Sequence, residues 1–245
     1  MEQSNRTQLV VAMVLSFAFV VTASAQLEKK SYEQWSEKEA TQLLNDSPWC
    51  QTQAVTDTSK MFDTNRRLDS GQTRVADVTT VNFRIRFFSA KPVRQAMSRS
   101  IELKQKGQVS EQMAAQLKAL ATADITDYIM VTVTVDAPNP SQALTDATSV
   151  LLKLNTAVLK NNTYLLVKGG QRLFISEYQP PRRDGFGARF VFPRVVDGNP
   201  FITPESGEVQ FFSDLNNEFR MENKPVTLST RFKAKDMMFD GKLEY

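Results

Sequence analysis

A chain with one cysteine and no histidine has to hold itself together by burying apolar side chains. Cys50 has no second thiol to bond within the chain, and without an imidazole no histidine-ligated zinc or iron can staple the fold. The same two facts remove much familiar active-site chemistry, because serine–histidine triads and cysteine–histidine dyads both need the missing ring. The core must therefore suffice unaided, and 245 residues are enough for one large domain or two small ones.

The N-terminal segment is expected to lie outside that core. Leu9 to Val21 is apolar except for Ser16, Arg6 precedes it, and Ala23-Ser24-Ala25 is a small-x-small site. This is the layout of a secretory signal peptide cut after Ala25. The apolar run is shorter than the ~20 residues of a transmembrane helix, and an uncleaved N-terminal anchor is the alternative. Residues 26–245 are then an exported domain, periplasmic or secreted, with a possible sub-boundary near 162. Cleavage takes Glu2 and Arg6 together, so the net charge stays at +3. The charges are mild and interspersed, which speaks against a nucleic-acid partner. No later segment is apolar enough to span a bilayer.

Hydrophobic periodicity gives the elements. Ser36 and Glu39 form a capping box that opens a helix to about Asn45, with Ala40, Leu43 and Leu44 on one face. Trp35 and Trp49 flank it as core anchors; a sugar-stacking pair is the functional alternative. Residues 57–74 read as a polar surface loop. Val81, Phe83, Ile85 and Phe87 alternate with polar residues in a half-buried strand, and Arg84 and Arg86 are expected on its wet face. Pro92 starts a helix carrying Val93, Met97 and Ile101, which Gly107 would cap. Ser110 starts a second, with Met113, Leu117, Leu120 and Ala121 inward. Ile129 to Val135 alternates as another strand. Asn139 and Pro140 would open a long helix bearing Leu144, Ala147, Leu151, Leu154 and Val158, ending at Asn161-Asn162. From Thr163 the chain reads as β. Tyr164–Val167 and Arg172–Tyr178 flank a Gly169-Gly170 turn, and further strands follow at 188–192, 209–212, 226–232 and near Leu243. This order predicts an α+β fold: a mostly antiparallel sheet with three to four helices packed on one side and a β-rich C-terminal half.

Catalytic patterns are sparse. Gly185-Phe186-Gly187 lacks the third glycine of a dinucleotide fingerprint, and no segment has P-loop or nucleophile-elbow spacing. Ser149 and Lys153 lie at i and i+4 on the wet side of a helix, ordinary surface chemistry rather than a dyad. Glycoside hydrolysis needs only two acids, and Glu177, Asp184, Asp197, Glu205 and Asp214 are candidates, though nothing selects a pair. No catalytic residue, metal ligand or cofactor is expected, and Cys50 is expected to be buried and inert.

The unusual stretch is 180–194, with four arginines, three phenylalanines and two glycines. Arginine is the natural partner of carboxylate or phosphate. The candidate ligand-binding residues are Arg182, Arg183, Phe186, Arg189 and Arg194, with Phe190 adding to an apolar wall. The plainer reading is a polar loop leading into an edge strand. The functional expectation is an exported, non-catalytic binding or interaction protein of the cell envelope, with an unknown protein or envelope component as partner. The alternative is a histidine-independent, carboxylate-based hydrolase acting on a glycan.

Overall fold

The computed structural model describes residues 30–58, 78–105, 108–215, 218–221 and 224–245. The expected signal peptide, the loop beyond Thr58 and the Gly107 cap lie outside these residues.

Two antiparallel sheets and their helices make an α+β fold. In the first sheet, β1 (Cys50–Asp57) pairs with β2 (Thr79–Phe87), which pairs with β3 (Tyr128–Asp136). Later in the chain come β4 (Thr163–Val167), β5 (Arg172–Phe174), β6 (Glu177–Gln179) and β7 (Ala188–Pro193). β7 joins β3 and β6 joins β7, giving the order β1-β2-β3-β7-β6 for sheet A. The two-residue strands β8 (Val195–Val196) and β9 (Asn199–Pro200) form a small ladder. β10 (Glu208–Ser213) follows, then the short pair β11 (Arg220–Met221) and β12 (Lys224–Pro225). β13 (Leu228–Lys233) completes sheet B, of order β13-β10-β4-β5, and β14 (Met238–Phe239) pairs with β15 (Lys242–Leu243).

Strand alternation decides which faces meet. Phe87, Val131 and Phe190 stand opposite one another across β2, β3 and β7, so they share a face, and all three are fully buried. Sheet B turns Leu165, Val209, Phe211 and Phe232 toward them. Edge-to-face ring pairs join the layers: Phe87–Phe232 at 4.8 Å, Phe190–Phe211 at 5.3 Å and Phe192–Phe211 at 6.4 Å between centroids. Such geometry sets the positive ring edge against the negative face.

The sheets are also tied at their sides. On β1, the Gln53 side chain donates to Thr227 O (2.7 Å) and accepts from Ser229 N–H (2.8 Å), a one-residue imitation of strand pairing against β13. At the other side the chain itself crosses over. Ile175 N–H donates to Thr163 O in sheet B, and Ser176 N–H donates to Val191 O in sheet A. The expected single strand 172–178 is therefore two strands in two sheets. Buried Leu173 and Ile175 keep period two, but the next buried residue is Tyr178, three positions on. That slip turns the chain onto the other layer.

The helices are short and well capped. α1 (Glu37–Asn45) starts at the Ser36–Glu39 capping box and buries Ala40, Leu43 and Leu44. α2 (Lys91–Lys104), with Pro92 in its first turn, lies against α3 (Glu111–Thr122), capped by Ser110. Arg94, only 2% exposed, ties this hairpin by donating to the carbonyls of Ser89, Leu120 and Ala123. α3 is anchored only from Leu117 onward, so Met113, expected inward, is 40% exposed. α4 (Gln142–Lys153) begins later than expected, because Ser141 rather than Asn139 accepts from the Leu144 N–H. It also stops early. Leu154 is extended and buried, and Asn155 caps a separate turn, α5 (Thr156–Leu159), by accepting from Val158 N–H. Asparagine competes well for such ends, so the apolar spacing through Val158 spans two helices.

The helices do not share one side of one sheet. α4 contacts β2 and β3 from the inner face, where Tyr178 Oη donates to Leu151 O. The end of α1 lies over the outer face of sheet A, where Arg86 donates to Leu44 O.

Candidate ligand surface

The arginine stretch does not gather at one point. Arg182 and Arg183 are exposed in the turn before β7. Arg189 lies on the outer face of sheet A, buried, with its guanidinium paired to Asp184 and set over the Phe186 ring at 5.5 Å. Phe186 in turn touches Phe88, with ring centroids 5.0 Å apart. Arg194 is five residues further along the chain, about 17 Å in extended backbone. It donates to Tyr245 O (2.6 Å) and lies over the Tyr245 ring at 3.9 Å. Phe190 faces the opposite way, into the core between the sheets. Arg189, Phe186 and Asp184 are thus brought together, while Arg194 serves the other end of the strand.

What Arg189 joins is a sealed polar row. Cys50, Arg86, Thr132 and Arg189 are opposite partners across β1, β2, β3 and β7, and all are buried. Arg86 was expected on a wet face. It is covered instead, and its donors are used by Leu44 O (2.6 Å), Thr134 Oγ1 (2.8 Å) and Asn45 Oδ1 (3.3 Å). Burial pushes the Cys50 thiol up to about 11, against the opposing pull of Arg86 and a hydrogen bond from Ser47. A thiol so held stays protonated and unreactive at neutral pH. Burial raises the Asp184 carboxyl, but the Phe186 N–H and the Arg189 and Arg182 charges outweigh it, and the net shift is downward. Asp184 and Arg189 answer each other, while Arg189 Nη1 and Thr132 Oγ1 are buried without a hydrogen-bond partner among the described residues.

The tryptophans and carboxylates serve the fold too. Trp35 and Trp49 are buried, and Trp49 Nε1 donates to Glu244 O at 2.8 Å. Neither ring is open to a sugar. The candidate acids are dispersed: Glu177 on β6, Asp184 with Arg189, Asp197 at the β8–β9 turn, Glu205 in a 3-10 turn and Asp214 after β10. Among the described residues no three acid or thiol side chains cluster as a metal site would require.

The surface with the clearest ligand character is the outer face of sheet B. With Leu165, Val167, Val209, Phe211 and Phe232 buried inward, the intervening residues must point out. Registered pairing sets them in rows. One row is Ser229, Phe212, Tyr164 and Phe174, and the next is Arg231, Gln210, Leu166 and Arg172. Tyr164 stacks on Phe212 at 4.8 Å with planes 17° apart, meets Phe174 edge-on at 5.7 Å, and carries the Arg172 guanidinium at 4.7 Å. Phe174 is 43% exposed.

Beside this ladder lies a groove of about 580 Å³ whose lining includes Leu166, Pro204 and Gln210. Lys168, Arg231, Lys233 and Lys235 rim it, and Glu208 is its one acid. Gly207, at φ 69°, lets the Lys168 stem lie across the groove wall; a Cβ there would come within 3.3 Å of Lys168 Cδ. Glu208 and Arg231 make an exposed pair at 3.7 Å, which solvent screens heavily. Sequence reasoning passed over this face. Its signal was the alternation Tyr164/Leu166/Lys168 and Arg231/Lys233, but strand pairing alone tells which rows adjoin.

Comparison with protein families, with curated proteins and with solved structures finds no match to this chain.

Proposed function

We propose that this chain is an exported, non-catalytic binding protein of the cell envelope, and that its ligand surface is the outer face of sheet B. The observation that carries this reading is charge placement. Four cations and one carboxylate line a single groove, an excess equal to the +3 of the entire chain. Charge gathered at one concave place focuses potential and draws an anionic partner. The secretory character of the N-terminus supports a partner outside the cytoplasm.

The hydrolase alternative is weaker on the same ground. Two carboxyl groups about 5–10 Å apart must flank a glycosidic bond, and Glu208 stands alone in this groove.

The test is sedimentation of the purified protein with isolated envelope fragments. The triple variant Arg231→Ala, Lys233→Ala, Lys235→Ala should bind about tenfold more weakly or worse. Its melting temperature should stay within about 2 °C, because exposed charges add little stability. Retention of the variant at the wild-type level would place the ligand surface elsewhere.

A further inference from the structure

We infer that the occupant of this groove is a carboxylate-bearing polysaccharide, a chain of uronic-acid-type sugars. The inference rests on the reading of the outer face of sheet B as the ligand surface. Three features favour it. First, the basic face extends beyond the groove that Lys168, Arg231, Lys233 and Lys235 rim, because Arg172 lies outside its lining on the same face. Arg172 and Arg231 end one row with Leu166 and Gln210 between them, three strand spacings or about 14 Å apart. That spacing suits a repeating anion and not a single compact one. Second, apolar side chains stand among the cations. Leu166 and Pro204 offer nothing to a phosphodiester backbone, but they suit the C–H faces of pyranose rings, whose carboxylates then reach the rim.

Third, the central ring of the ladder is closed to nucleobases. Single-stranded nucleic acids bind by stacking bases on open aromatic faces. Tyr164, the central ring, has Phe212 stacked on it and the Arg172 guanidinium over it. The ladder instead holds Arg172 in a fixed position, so a carboxylate meets an oriented planar fork rather than a loose side chain.

The experiment is a titration of the full protein with polygalacturonate at low and at physiological salt. Comparison ligands are methyl-esterified polygalacturonate, polyphosphate and single-stranded DNA. Polygalacturonate should bind, and esterification should weaken it by about tenfold or more, because the carboxylates are lost while the sugar faces remain. Lys168→Ala with Arg231→Ala should weaken it similarly, and Leu166→Asp should abolish it. A separate Arg172→Lys variant should bind worse than wild type, since it keeps the charge but not the fork. Polyphosphate or DNA binding as tightly as polygalacturonate, and equally lost in the double variant, would overturn the glycan assignment while leaving the groove as an anion surface. Indifference of every ligand to the double variant would overturn both.

Discussion

Gly187 sits at φ 81° with its backbone pressed against β3, and a Cβ there would lie 2.3 Å from Val133 O and 2.7 Å from Thr134 Cγ2. Gly185, two residues earlier, has φ 80° and no atom within 4 Å of the same point. The two glycines separate backbone strain from collision. A left-handed non-glycine residue costs about 1–2 kcal/mol, and overpacking adds about 1–3 kcal/mol. Gly185→Ala should therefore lose about 1 kcal/mol in urea unfolding, and Gly187→Ala at least about 3 kcal/mol. Equal losses would mean that the 185–187 turn can lift away from β3. The close approach is what sets Phe186 over Arg189 and closes the polar row beneath it.

At the scale of elements, the helices depend on their ends. α1 has nine residues, too few to persist by propensity alone. Its capping box joins Ser36 N–H to Glu39 Oε2 (2.8 Å) and Glu39 N–H to Ser36 Oγ (3.3 Å). The Lys30 hydrogen bond, followed by the two from Ser36, lowers the Glu39 carboxyl from 4.5 to about 2. A carboxyl lowered on folding stabilises the fold above its unfolded value. That contribution is present above pH 4.5 and is lost as pH falls from there to about 2. Ser36→Ala should cost about 1 kcal/mol at neutral pH and move the Glu39 titration upward, as followed by its carboxyl carbon resonance. An unmoved titration would show that Lys30 and the residue-36 backbone N–H, not the hydroxyl, govern the group. The break at Leu154–Asn155 follows the same logic, since a strong local cap ends one helix and begins another.

For the whole molecule, the two sheets behave as one body only if their sides are joined. Aromatic pairs hold the faces, the 175–176 crossover holds one side, and Gln53 holds the other. Gln53→Ala should cost about 1–3 kcal/mol, because it strips partners from the Thr227 carbonyl and the Ser229 amide. Gln53→Glu should do no better at neutral pH, since its carboxylate cannot donate to Thr227 O. Unfolding should remain a single transition in both variants. Amide exchange at Ser229 should accelerate in Gln53→Ala, and unchanged protection there would show that β1 and β13 are joined by other contacts.

Short-range chemistry made much of this architecture legible. The Ser36 and Ser110 caps act within four residues, and alternation in β2, β3, β7 and β10 follows from the two-residue strand period. An α+β class and a core without cross-links follow from those patterns and from the single thiol. Long-range pairing decided the rest. No local pattern says that β5 and β6 belong to different sheets, that α1 ends over Arg86, or that Arg189 and Arg194 are held by different partners. The candidate ligand surface belongs to this second kind. Its aromatics and cations are scattered from Tyr164 to Lys235, each an ordinary outward residue of its own strand. They form a basic groove beside an aromatic ladder only because registered hydrogen bonds set four strands side by side. Register is a property of the assembled sheet, so a one-dimensional reading finds each residue without finding its neighbours.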